Sequence, residues 1–179
     1  SVTDQYSTVA VVGPNARKLM KLICQNVDFE RENFKFMQWR QGTVCGVDAR
    51  IMRISFSGEL AYEINVEANY GRYIWDQVAV AGEKWNITPY GTESMHVLRA
   101  EKGYIIVGQD TDGSMTPMDV NMNWILTKDK PFSYVGRRSF SISALCAEDR
   151  LQLVGLMTKD SSTVLPEGAN AIDNKGKSI

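Results

Sequence analysis

The run Arg53-Ile-Ser-Phe-Ser-Gly-Glu-Leu-Ala-Tyr-Glu-Ile64 narrows the possible folds more than any other stretch of this chain. β-prone residues flank Gly58-Glu59, and a two-residue turn is the commonest hairpin connection. With that turn, Ser57 opposes Leu60, Phe56 opposes Ala61 and Ile54 opposes Glu63. Opposed residues share a face. Glu63 is therefore expected beside Ile54 and diagonal to Phe56, on a face that also carries Met52, while Arg53, Ser55, Tyr62 and Ile64 take the other. A carboxylate among apolar side chains loses its hydration unless donors replace the water. Two readings follow. Glu63 accepts hydrogen bonds from a bound heterocycle with adjacent N–H groups, Phe56 stacking on the ring; or it pairs with an internal arginine or lies at an exposed edge.

The flanking segments give the hairpin its context. Tyr6–Val12 is β-branched and stops at Gly13-Pro14, as a buried strand does. Asn15 to Cys24 carries Leu19, Met20 and Ile23 at helical spacing behind Pro14. Residues 29–41 mix aromatics with charge and show no period. β character returns from Thr43 to Phe56, and Leu60 to Val66 alternates. Tyr70, Tyr73, Ile74, Val78 and Ala81 mark one face of a helix closed by Gly82. Strand, helix, strand, strand, helix is the split βαβ of a ferredoxin-like unit, with Trp85–Thr88 expected as its final strand. Pro89 and Thr92 open a further helix, Met95 and Leu98 inward, that ends at Gly103. Polar residues 141–149 read as a boundary, and Leu151–Met157 alternates as a strand that starts something new. The remaining stretch is too short for a core of its own, so the chain is expected to be part of a longer polypeptide.

Composition excludes several functions. The 179 residues carry a net charge of −1 with both signs mixed, which removes the electrostatic case for nucleic-acid or anionic-membrane partners. No apolar run approaches the roughly 20 residues a membrane helix needs. Cys24, Cys45 and Cys146 form no CxxC unit, so they are expected as small buried hydrophobes in a reducing, cytoplasmic setting. His96, the sole histidine, has no nucleophile or carboxylate at motif spacing and reads as solvated or as a residue behind a site, and not as a catalytic base. Asp110, Asp112 and Asp119 lack EF-hand spacing and read as turn formers. Gly13-Pro-Asn lacks the glycine pattern of a nucleotide loop.

RISFSGELAYEI resembles the R-x-x-[YF]-[ST]-G-E-x-x-[FYW]-E-[IL] signature of the folate-binding aminomethyltransferase family, the glycine-cleavage T-protein and its relatives. VVGPNARKLM is similar to that family's strand-to-helix entry, LRAEKGYIIVGQD to its L-R-x-E-x-G segment, and TPMDVNMNW to its T-P…W segment, all in the family's order. PYGTESMHVLRAEKGYIIVGQDTDG, VGRRSF, LQLVGL and VLPEGA resemble the branch formed by sarcosine oxidase α subunits.

The resemblance implies an α+β fold of ferredoxin-like βαββαβ units followed by a C-terminal β-barrel. On that map residues 1–88 form a ferredoxin-like folate-binding subdomain, residues 89–147 a helical and loop segment returning to the first subdomain, and residues 148–179 the start of the barrel. It implies an enzyme of one-carbon transfer, in which tetrahydrofolate captures the carbon of oxidised sarcosine as 5,10-methylenetetrahydrofolate. Flavin and NAD are expected only in the rest of the complex, among other sarcosine oxidase subunits. Glu63 matches the carboxylate that holds the pteridine, and Phe56 an aromatic of the folate pocket. Met95 stands where the T-protein has an arginine that contacts the pterin. The family's catalytic aspartate lies upstream of the matched region, so the resemblance places no catalytic residue in this chain. The alternatives are a stand-alone aminomethyltransferase, a dimethylglycine dehydrogenase-type module, or a non-catalytic scaffold for subunit assembly.

Overall fold

Period-2 burial builds the core around the sheet. In the computed structural model, which describes residues 1–127, 130–166 and 168–178, four strands form one antiparallel sheet: β1 (Tyr6–Val12), β2 (Trp39–Val44), β3 (Val47–Met52) and β4 (Ala61–Glu67). Their order is β1-β4-β3-β2. Val9, Val11, Val44, Ala49, Ile51, Tyr62, Ile64 and Val66 turn to one face and are buried there. Helices α1 (Ala16–Ile23) and α2 (Gly71–Gly82) supply the matching apolar stripes: Ala16, Leu19, Met20 and Ile23 from one, Ile74 and Val78 from the other. Each large aliphatic side chain so covered contributes roughly 1.5–3 kcal/mol relative to exposure. The opposite face of the sheet stays open and carries Thr8, Ala10, Trp39, Arg50, Glu63 and Asn65.

The described residues divide into two units, Ser1–Ile105 and Ile106–Ile179. The first holds the sheet, both helices and α3 (Thr92–Glu101). Gly103 closes α3 at φ +72°, with Gly103 N–H donating to Ala100 O and Tyr104 N–H to Arg99 O, the bond pair of a Schellman end. The second unit is built from turns and short 3-10 segments. It holds a two-point ion pair between Asp119 and Arg150: Nε donates to Oδ1 at 2.9 Å and Nη2 to Oδ2 at 2.7 Å. The Thr116 amide and hydroxyl fill out the carboxylate at 2.7 and 3.0 Å. Arg150 also reaches Ser114 O and Ala144 O.

Several expectations are corrected. The hairpin turn is Cys45-Gly46, with φ of +49° and +84° as a type I′ turn requires, and it joins β2 to β3. Residues 53–60 are an irregular connection, so Phe56 does not pair with Ala61, which faces Val12 instead. Met52, in place of Ile54, opposes Glu63. That shift is two residues, so Glu63 keeps its face opposite Tyr62 and Ile64. Trp85–Thr88 forms no strand: Glu83–Trp85 is a 3-10 turn, and Asn86 follows at φ +54°. Leu151–Met157 forms none either; in it the Leu153 amide makes a single backbone bond, to Asp119 O, and an alternating pattern without a ladder partner has nothing to pair. Tyr70 and Tyr73 are largely exposed rather than on the α2 stripe, and Cys146 is exposed. Cys24 is buried and Cys45 half-buried, and burial pushes both thiols up.

Gly58 shows what the 53–60 connection demands. It sits at φ +78°, and a Cβ there would lie 2.3 Å from Lys102 Cγ and 2.8 Å from Lys102 Cβ, just past α3. Gly58→Ala is expected to cost about 2 kcal/mol in urea unfolding, since the left-handed penalty alone is about 1–2 kcal/mol. An unchanged urea midpoint would show that the connection tolerates a side chain.

Candidate functional site

Strand alternation puts Glu63 on the open face of β4, half-buried, between Ala10 of β1 and Met52 of β3 in cross-strand register. Among the described residues no donor or cation lies within bonding distance of its carboxylate, and burial pushes its pKa up. The nearby guanidiniums serve other ends. Arg50 stacks over Trp39 at 5.4 Å, Arg40 over Phe34 at 5.0 Å, and Arg53 donates to the Phe34 carbonyl. Internal pairing with arginine, one of the two sequence readings, is therefore not the arrangement found.

Beside this face lies a cavity of about 740 Å³ in the first unit. Its walls come from both faces of β1, from α1 and α2 and from the segment leading into α3, including Thr8, Ala10, Leu19, Trp75, Tyr90 and Met95; Glu63 itself is not one of them. Thr8 and Ala10 belong to the open face as well, so cavity and sheet face share the β1 edge. Met95 is half-buried in that wall and offers an apolar thioether. Phe56 is 39% exposed in the 53–60 connection, outside any strand register with Glu63 and not among the cavity walls. Met95 thus lines a cavity that includes Ala10, the cross-strand partner of Glu63, whereas Phe56 lies in the 53–60 connection.

Tyr90 escaped the sequence reading. Its phenol is held above its ordinary pKa by burial and by the charge of Glu63. Glu63 is already ionised when a phenol titrates, which is why the influence registers on the tyrosine. Its neighbours Pro89 and Gly91 mark a loop and give no signal of a site. The same reading missed Phe29 and Phe34, which close on Tyr62 with ring centroids 5.4–5.8 Å apart and are fully buried. His96 is half-buried on α3. Asp112 caps a turn through the Ser114 amide and hydroxyl, which together hold its carboxyl below the usual range. No helix among the described residues is long and apolar enough to cross a membrane.

Comparison with known proteins gives this geometry a lineage. Over 170 residues, 94% of this chain, it is 54% identical to the sarcosine oxidase subunit alpha of Corynebacterium sp. (strain U-96). It is 28% identical over its whole length to human mitochondrial dimethylglycine dehydrogenase, and 30% identical over 138 residues to the aminomethyltransferase of Halothermothrix orenii (strain H 168). The chain spans 17% of the length of the first of these relatives, 20% of the second and 37% of the third. The GCVT N-terminal domain model matches residues 1–130. On that match, the chain belongs to the GCVT N-terminal domain family.

Proposed function

We propose that this chain is the tetrahydrofolate-binding part of a sarcosine oxidase α-type subunit, where the one-carbon unit of oxidised sarcosine is accepted to give 5,10-methylenetetrahydrofolate. The observation that carries this reading is the Glu63 carboxylate, half-buried on an open sheet face with no partner among the described residues and pushed up in pKa by burial. Such a group has acceptor capacity held ready for a ligand with paired N–H donors. The adjoining cavity, about 740 Å³, suits a fused heterocycle. High identity to sarcosine oxidase α subunits supports this branch over the stand-alone aminomethyltransferases.

In this reading Glu63 accepts from the pterin N–H edge and fixes the ring's orientation, Met95 forms an apolar wall, and Phe56 stacks on the ring from the 53–60 connection. Tetrahydrofolate, when bound, supplies the nucleophilic N5/N10 edge. The chain's contribution is positioning. Flavin and NAD chemistry falls to other parts of the assembly and its partner subunits. Residues 1–88 act as a ferredoxin-like folate-binding subdomain, β2 being an added edge strand; residues 89–147 return to a first subdomain, and residues 148–179 begin a barrel.

Calorimetric titration of the full-length protein with tetrahydrofolate tests the reading. Glu63→Gln keeps the shape and removes the charge, and is expected to weaken binding by about tenfold or more, the scale of a charge-assisted hydrogen bond. Equal affinity in parent and variant would remove Glu63 as the anchor.

A further inference from the structure

We propose that Tyr90 is a second ligand-positioning residue at the Glu63 site, its hydroxyl donating to the ring carbonyl that adjoins the N–H edge held by Glu63. The proposal rests on the folate-type reading above and narrows it: the ligand class becomes a heterocycle whose N–H donor sits directly beside a carbonyl acceptor, the edge of a cyclic lactam.

The geometry comes from β1. Ala10 is the cross-strand partner of Glu63 and lines the same cavity as Tyr90. Opposed side chains in an antiparallel pair start about 5 Å apart. The Glu63 carboxylate therefore projects at the margin of the space that Tyr90 helps enclose. Tyr90 reaches it from a constrained frame, with Pro89 before it and Gly91, the extended residue that starts α3, after it. Its hydroxyl makes no hydrogen bond within the described residues, and its side chain is 41% exposed.

Chemistry sets the direction of the hydrogen bond. A phenol next to a carboxylate keeps its proton, and the raised pKa of Tyr90 agrees. It is then a donor, while ionised Glu63 is purely an acceptor. One acceptor and one donor set side by side match an N–H beside a C=O. A ligand with N–H groups alone would satisfy Glu63 and leave the phenol unused. Met95, on the same wall, has no hydrogen-bond donor.

A double-mutant cycle in the full-length protein tests this, with tetrahydrofolate titrated into the parent, Tyr90→Phe, Glu63→Gln and the double variant. Tyr90→Phe keeps the ring and the cavity wall, so a merely structural tyrosine predicts unchanged affinity. The expected result is a loss of about fivefold for Tyr90→Phe at unchanged melting temperature, the scale of one neutral hydrogen bond. That loss shrinks in the Glu63→Gln background, because a ring no longer held at its N–H edge presents its carbonyl less well. Glu63→Gln weakening binding while Tyr90→Phe stays within twofold of the parent overturns the Tyr90 role and leaves the Glu63 anchor standing. Fully additive losses overturn the shared-edge geometry. No binding by the parent overturns both.

Discussion

Arg150→Met is expected to release the Leu153 amide to solvent exchange about a hundredfold faster. The reason is the carboxylate it leaves behind. Asp119 is 2% exposed and takes two hydrogen bonds from the Arg150 guanidinium, with the Thr116 amide and hydroxyl and, at 3.5 Å, the Gln152 side-chain amide as further donors. Removing one partner of a buried ion pair strands the other charge, at a cost of roughly 3–5 kcal/mol. Arg150 keeps a fifth of its side-chain surface in water, which argues for the lower end. Three kcal/mol is about two decades in an opening equilibrium. Leu153 N–H donates to the Asp119 carbonyl at 2.7 Å, so its exchange reads this opening directly. Combining Arg150→Met with Asp119→Leu should recover much of the loss, since an apolar pair carries no stranded charge. Failure of that recovery would mean that Arg150 acts through its bonds to Ser114 O and Ala144 O instead.

The same pair gives the second unit an acid dependence. Arg150 and the Thr116 donors hold the Asp119 carboxyl far below the ordinary aspartate range. A depressed acid stabilises the fold wherever the unfolded group would be ionised, above about pH 3.9. The contribution is complete at neutral pH and fades as the pH falls from there toward the much lower folded value. Arg150→Met should therefore reduce acid sensitivity along with protection.

The second large effect is in the aromatic cluster. Phe34→Ala is expected to cost about 4 kcal/mol in urea unfolding of the first unit, the range for truncating a buried phenylalanine. Phe34 is fully buried, faces Phe29 and Tyr62, and lies under the Arg40 guanidinium. Tyr62→Phe provides the contrast. The Tyr62 hydroxyl is buried with no hydrogen bond among the described residues, so its removal should be neutral or stabilising. A large loss for Tyr62→Phe with a small one for Phe34→Ala would reverse the assignment of what the cluster contributes.

Much of the first unit was legible because its elements are periodic. Val9 and Val11, Leu19 and Ile23, Ile64 and Val66, Ile74 and Val78 fall at spacings of two or of three to four, and all are buried. The hairpin was misplaced because Gly58-Glu59 looks like a turn and Cys45-Gly46 does not. Only the left-handed conformation of a cysteine there reveals it. Glu63 survived that error, since a two-residue slip preserves the face. The pairing of Phe56 with Ala61 did not, because it depended on the turn itself. Phe29 and Phe34 lie where no period exists, and a cluster held by ring packing leaves no trace in spacing. Tyr90 emerged from the approach of two distant segments, which no local pattern encodes.

The strand order also sets a sequence of events in folding. β2 and β3 meet across a two-residue turn, which forms within microseconds. β4 follows after a short connection. β1, by contrast, must find Ala61–Glu67 across roughly 50 intervening residues, and that closure entropy has to be met before any of its ladder forms. Its partner surface exists only once β4 has docked on β3. The first of these four strands along the chain is therefore the last to pair, and the cavity it helps to line is among the last features of the unit to take shape.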